Sequence, residues 1–155
     1  MRDLVIDPQT GPSPLTDAHM TATPIDQPTD AFCELFRVAF ELTADEDRSY
    51  RTAFLHSRPP ADVQTSHVVV ALDGDPVAIA SLHRTPSTSF LYNVGTRPDC
   101  RGLGCATRAV TELLSANQTG PDTVWLQCIA DSREEDLYHQ LGFKTLFEAS
   151  TVAMP

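Results

Sequence analysis

Residues Val94 to Ala106, VGTRPDCRGLGCA, constrain this chain more than any other stretch. Phe90, Tyr92 and Val94 alternate with Leu91 and Asn93 at the period of a strand, and Pro98 ends that strand because it has no amide to give to a ladder. Leu103, Ala106, Val110, Leu113 and Leu114 then recur at helical spacing, the apolar stripe of a helix lying on a sheet. At the helix entrance Gly102 and Gly104 lack a Cβ, so a ligand can approach the backbone closely. Amides of a first helical turn have no partner within the helix, and the macrodipole there favours anions. The unit therefore points to a phosphate-bearing ligand, although a helix that merely packs tightly on a strand uses the same glycines.

Two phosphate-binding motifs of other folds fit poorly. Gly102-Leu103-Gly104-Cys105-Ala106-Thr107 begins like a dinucleotide fingerprint but has Thr107 where the third glycine belongs. A P-loop needs Gly-Lys-Ser/Thr, and Lys144 is the only lysine. The pattern Arg/Gln-x-x-Gly-x-Gly/Ala is present as Arg101, Gly104 and Ala106, with Pro98 three residues ahead of the arginine. On these residues the chain resembles the GNAT superfamily of acyl-CoA-dependent N-acetyltransferases. Leu137-Tyr138-His139-Gln140-Leu141-Gly142-Phe143 is similar to the Leu-Tyr-x-x-Leu-Gly-Phe segment late in that family, and Asn93 to Pro98 is also family-like. The chain departs from the family where many members carry an asparagine at the start of the last helix; Asp131 and Ser132 stand there.

The resemblance implies a mixed α/β fold: antiparallel N-terminal strands, a central splayed pair of parallel strands, and flanking helices. It implies acetyl-CoA as acyl donor, with pantetheine paired to the strand edge Val94, Gly95 and Thr96. Arg101, Gly102, Leu103, Gly104, Cys105 and Ala106 would hold the pyrophosphate, Arg101 or Arg97 adding charge. Tyr138 matches the family's proton donor to the leaving thiolate; its bland alternative is a tyrosine that only caps the core. The acceptor would be a primary amine on a small molecule or peptide, shaped by the front helices. Candidate bases are His83, Glu41, Glu46 or ordered water. Homodimers are common in the family. A non-catalytic acyl-CoA-binding or partner-binding module, or an enzyme using a longer acyl-CoA, would share the same motifs.

Along the chain, residues 1–17 hold Pro8, Pro12, Pro14 and Gly11 with little periodicity and read as an extended, mobile leader before a single domain over 18–155. His19 to Pro24 reads as a short strand. Thr29 and Asp30 cap a helix carrying Phe32, Leu35, Phe36, Ala39 and Phe40, and Thr43 with Glu46 forms a capping box for a second. Val68–Leu72 and Val77–His83 flank Asp73-Gly74-Asp75 as a hairpin. Thr123–Ile129, following the glycine-entrance helix, should lie parallel to the Phe90 strand. Ser132 and Glu135 cap a short helix, and Phe143–Glu148 and Ser150–Ala153 read as closing strand segments.

A net charge of −10 argues against nucleic acid or an anionic membrane as partner. No apolar run approaches a membrane span, and Met1–Asp7 has no secretion-signal pattern, so a cytoplasmic protein is expected. Cys33, Cys100, Cys105 and Cys128 read as free thiols; Cys105, at a helix start where a thiolate is conceivable, reads rather as a small space-filling residue. His19, His56, His67 and His139 have no spacing that suggests a metal site.

Overall fold

The computed structural model describes residues 1–7, 19–56, 58–116 and 123–149. Its elements are β1 (Arg2–Ile6), β2 (Met20–Ile25), α1 (Asp30–Ala39), α2 (Ala44–His56), β3 (Gln64–Leu72), β4 (Asp75–Arg84), β5 (Ser89–Thr96), α3 (Cys105–Ala116), β6 (Val124–Cys128), α4 (Arg133–Gln140) and β7 (Lys144–Glu148). The strands form one sheet in the order β2-β3-β4-β5-β6-β1-β7. This is the mixed α/β architecture that the motifs imply.

Local signals explain most element boundaries. Thr29 caps α1 by accepting from the Phe32 amide, and Glu46 accepts from the Thr43 amide at 2.8 Å in the expected box. The β3–β4 hairpin turns at Asp73 and Gly74, both in the left-handed region, where glycine is at ease and aspartate is tolerated. The β3 and β4 strands extend beyond the expected bounds because their ladder runs from Gln64↔Arg84 to Leu72↔Asp75.

The sheet separates two apolar layers. Leu82 and Leu91 join Ala109, Val110, Leu113 and Leu114 of α3 in the larger core, whereas Ile79 meets Phe32, Leu35 and Phe36 of α1 in the smaller one. Alternation along β4 therefore turns Ile79, Ser81 and His83 to the α1 side and Ala80 and Leu82 to the α3 side. Burial of α3's stripe accounts for its position across β3 and β4; α2 contributes no buried residue and lies on the periphery.

The expected leader needs correction. Residues 2–6 form a strand inside the sheet, antiparallel to β6 through Leu4↔Leu126 and to β7 through Leu4↔Thr145. Leu4 and Ile6 are buried core residues, so this segment belongs to the domain rather than preceding it. Its apolar residues, Leu4, Val5 and Ile6, are too few to announce a strand by periodicity; their partners lie at the other end of the chain. Residues 8–17 and the expected strand Ser150–Ala153 lie outside the described residues. Among the described residues, no helix is long and apolar enough to cross a membrane.

Candidate active site

β5 and β6 are parallel, as the helix between them requires, but they pair only at Ser89↔Val124 and Phe90↔Trp125. Beyond that point β5 turns away. Its register against β4 slips between Ile79↔Gly95 and Ser81↔Tyr92, so β5 carries one extra residue there, and Asn93 takes a φ of 52°. A bulge of this kind bends the strand and sharpens its twist. The consequence is a strand edge without its β6 partner, opening onto a cleft of about 500 Å³. The side-chain amide nitrogen of Asn93 and the hydroxyl of Thr96, which lines the cleft, are buried without a hydrogen-bond partner among the described residues.

Val94, Thr96, Arg101, Gly102, Gly104, Cys105, Ala106 and Tyr138 all line this cleft. Gly102 and Gly104 have φ of 81° and 83°, which explains two glycines in three residues and brings the loop backbone to the cleft. The first-turn amides of α3, from Cys105 to Thr107, have no helical acceptor by virtue of their position. Two predicted residues are not among those whose atoms line the cleft. Leu103 is exposed outside the lining, and Gly95 is buried where α1 crosses β5.

The cysteine and the arginines are each engaged by their surroundings. Cys105 is buried and its thiol is pushed up by burial, so the conceivable thiolate is disfavoured. Arg97 is bound to Asp99 and Asp75 at 2.8 Å each. Arg101 donates to the Ala39 carbonyl at 2.9 Å and to Glu41 at 3.2 Å, clamping the α1 C-terminus to the loop. Arg133, at the first position of α4, lies across the cleft; its Nη2 would be 3.1 Å from a Cβ placed on Gly102. Sequence reasoning missed Arg133, although its signal was present. An arginine in a helix's first turn opposes the macrodipole that Glu134, Glu135 and Asp136 satisfy, so another reason for it should be sought.

Tyr138 is buried, 7% exposed, against Phe143, and burial followed by the nearby Cys128 and Glu134 raises its pKa well above the ordinary phenol value. It stays protonated throughout the neutral range. The candidate bases separate by their partners. Glu46 serves the Thr43 cap, and hydrogen bonds from it hold the carboxyl below the usual range. Glu41 meets Arg101. His83 instead shares a 2.5 Å hydrogen bond through Nε2 with the Tyr92 hydroxyl, and burial lowers its pKa. Among the described residues, no group of three or more His, Cys, Asp or Glu could hold a metal ion.

α4 is fixed by β1. Arg2 donates from Nη1 to both carboxylate oxygens of Glu135 at 2.8 Å, and Glu135, 3% exposed, also accepts from the Asp131 amide. Arg133 and Tyr138 thus ride on a helix whose entrance is tied to the N-terminal strand.

Residues 29–143 match the model of the acetyltransferase (GNAT) family. No curated protein matches the sequence. Among solved structures, a GCN5-related N-acetyltransferase from Kribbella flavida is similar at 22% identity and a TM-score of 0.64, over 93% of this chain and 53% of that one. A GCN5-related N-acetyltransferase from Sphaerobacter thermophilus gives 21% and 0.70, over 93% and 47%. The ribosomal-protein-S18-alanine N-acetyltransferase from Escherichia coli gives 16% and 0.59, over 80% and 78%. The chain spans about half the length of the first structures it resembles. By the family model, over most of its length, the chain belongs to the GNAT family of acetyltransferases.

Proposed function

We propose that this protein transfers an acetyl group from acetyl-CoA to a primary amine. The observation that carries the reading is the meeting of a glycine loop, a helix entrance and an unpaired strand edge in one cleft. Acetyl-CoA would supply the activated acyl group as a thioester. The amides of Cys105 to Thr107 would bind the pyrophosphate, with Arg133 neutralising charge opposite them. The edge Val94 to Thr96 would take the amide-bearing pantetheine as an added strand, and amides at such an edge suit the charge that develops on a reacting carbonyl.

Tyr138 is the proton donor for the departing thiolate in this reading. Its raised pKa supports a reliably protonated donor, while making the transfer uphill, so its removal should slow rather than abolish turnover. The acceptor would approach from the α1–α2 side, where Phe40 and Tyr50 are exposed beside the acidic first turn of α2. That favours a small cationic amine.

Titration with acetyl-CoA, followed by calorimetry and melting temperature, tests the reading. Saturation to about 100 times the dissociation constant should add about 2.7 kcal/mol, a rise of several degrees. Arg133→Ala should weaken binding about tenfold, as expected for about 1.4 kcal/mol from one charge-assisted contact. Tyr138→Phe should bind normally but release thiol more slowly in an amine screen. No shift at millimolar acetyl-CoA would overturn the reading in favour of a partner-binding module; a stronger response to propionyl- or succinyl-CoA would change the donor.

A further inference from the structure

The end of α1 is closed by a pair of backbone hydrogen bonds that usually comes with a glycine. The Glu41 amide donates to the Val38 carbonyl at 3.3 Å and the Leu42 amide to the Arg37 carbonyl at 3.0 Å. Together these bonds require a left-handed residue just past the helix, where glycine is at ease and asparagine is tolerated. Glu41 stands there instead, with a φ of 54°. A glutamate held in this region is strained and does nothing for the helix end that glycine would not do better, so its side chain must supply the reason.

That side chain meets Arg101. Arg101 Nη2 donates to Glu41 Oε1 at 3.2 Å and to the Ala39 carbonyl at 2.9 Å, and Arg101 Nε donates to the Thr96 carbonyl at 3.3 Å. One guanidinium therefore ties together the end of α1, the unpaired stretch of β5 and the glycine loop. Phe40, between the two α1 residues so held, is exposed and lies against Gly95 of β5. The contact joins the loop that would hold the donor to the helix end that would meet the acceptor.

Charge decides what can break it. Among the described residues lining the cleft, Arg101 and Arg133 are the cations and Glu134 and Asp136 the anions. While Glu41 also occupies Arg101, the balance around the loop tips negative, which opposes the diphosphate that the loop amides would bind. Phosphate oxygens are stronger partners for a guanidinium than one exposed carboxylate. Glu41 and Arg101 are both exposed, and an ion pair in that setting is exchanged at small cost.

We propose that Arg101 and Glu41 form a latch that a diphosphate-bearing donor opens, and that the freed Glu41 carboxylate then binds a non-reacting ammonium group of the acceptor, a diamine or polyamine. Arg101 turns from Glu41 and Ala39 to the phosphate oxygens. Glu41 is left beside the exposed ring of Phe40, and a carboxylate next to an aromatic face suits an ammonium. Through Arg101 it stands at the Thr96 end of the strand edge, where the donor's phosphates would lie rather than its acyl group, so the cation it holds is not the one that reacts. Donor and acceptor thereby favour each other's binding, by the same factor in both directions. This rests on the acetyl-transfer reading above.

Calorimetric titration with spermidine, in the presence and absence of saturating CoA, tests the latch without any turnover. In the wild type CoA should tighten spermidine binding about threefold to fivefold, the scale of one exposed ion pair, and leave phenylethylamine, which has a single ammonium, unchanged. Glu41→Gln should bind CoA about threefold more tightly, because the competitor for Arg101 is gone, and should bind spermidine equally with and without CoA. Glu41→Gly should lose the same coupling while the helix end is kept or improved, which separates the missing carboxylate from damage to α1. Hydrogen exchange at the Glu41 and Leu42 amides should quicken when CoA binds the wild type. Slower exchange there, equal tightening of phenylethylamine, or unchanged CoA affinity and coupling in Glu41→Gln would each overturn this proposal alone. Failure of the wild type to bind CoA would overturn the reading it rests on.

Discussion

A methyl group added at Gly95 would lie 2.7 Å from Cε2 of Phe40 and 3.0 Å from the Cβ of Ala39. The glycine is therefore required by the close approach of α1 to β5. Gly95→Ala should push α1 away and cost about 1–3 kcal/mol, measured by denaturant unfolding. Phe40→Leu in the same chain should recover part of that loss, and additive effects in the double-mutant cycle would show that the two residues do not conflict. Arg101 holds the same junction from the loop side through Ala39 and Glu41. The loop arginine of the motif was legible in the sequence, but its partners, 60 and 62 positions away, were not.

Among elements, α4 shows how a local signal can be correct and incomplete. Ser132 accepts from the Glu135 amide, as a capping box requires. The glutamate carboxylate, however, is turned to Arg2 of β1 and to the Asp131 amide. Hydrogen bonding to Arg2 is the main reason that the Glu135 carboxyl is held below the usual carboxylate range. A depressed folded-state pKa contributes stability above the unfolded value near 4.5, and that stability is lost as pH falls through the folded value. Arg2→Met should lower the urea midpoint at pH 7 and flatten the acid limb, so that mutant and wild type converge as falling pH protonates the Glu135 carboxylate. A constant difference across this range would mean that Arg2 acts only by packing.

For the whole molecule, the decisive feature is that an N-terminal strand joins two C-terminal ones. β7 is exposed along its length, and β1 is its ladder partner in the sheet. Removing residues 1–7 would strip the core of Leu4 and Ile6, leave β6 and β7 without their shared neighbour, and release Glu135 from Arg2. With roughly 1.5–3 kcal/mol for each buried aliphatic side chain, the melting temperature should fall by about 10 °C or more. Hydrogen exchange should locate the loss in β6, β7 and α4, with the β3–β4 ladder least affected. Uniform loss across the sheet would instead indicate a single cooperative unit.

By itself the sequence determined those features whose cause lies within a few residues. Alternation, apolar spacing, caps and turn residues placed β3, β4, β5, α1, α3 and α4, and the strand–glycine loop–helix motif located most of the cleft. Only the tertiary structure decided which groups meet. Arg2 and Glu135 are 133 positions apart, and no periodicity specifies that pairing. The position of Arg133 depends on α4 lying across from Gly102, and the meetings of His67 with Ser81 and of Tyr92 with His83 depend on the registers of three strands. Strand pairing is set by which apolar faces can be buried together across the finished sheet, so partners distant in sequence become visible only once that sheet has formed.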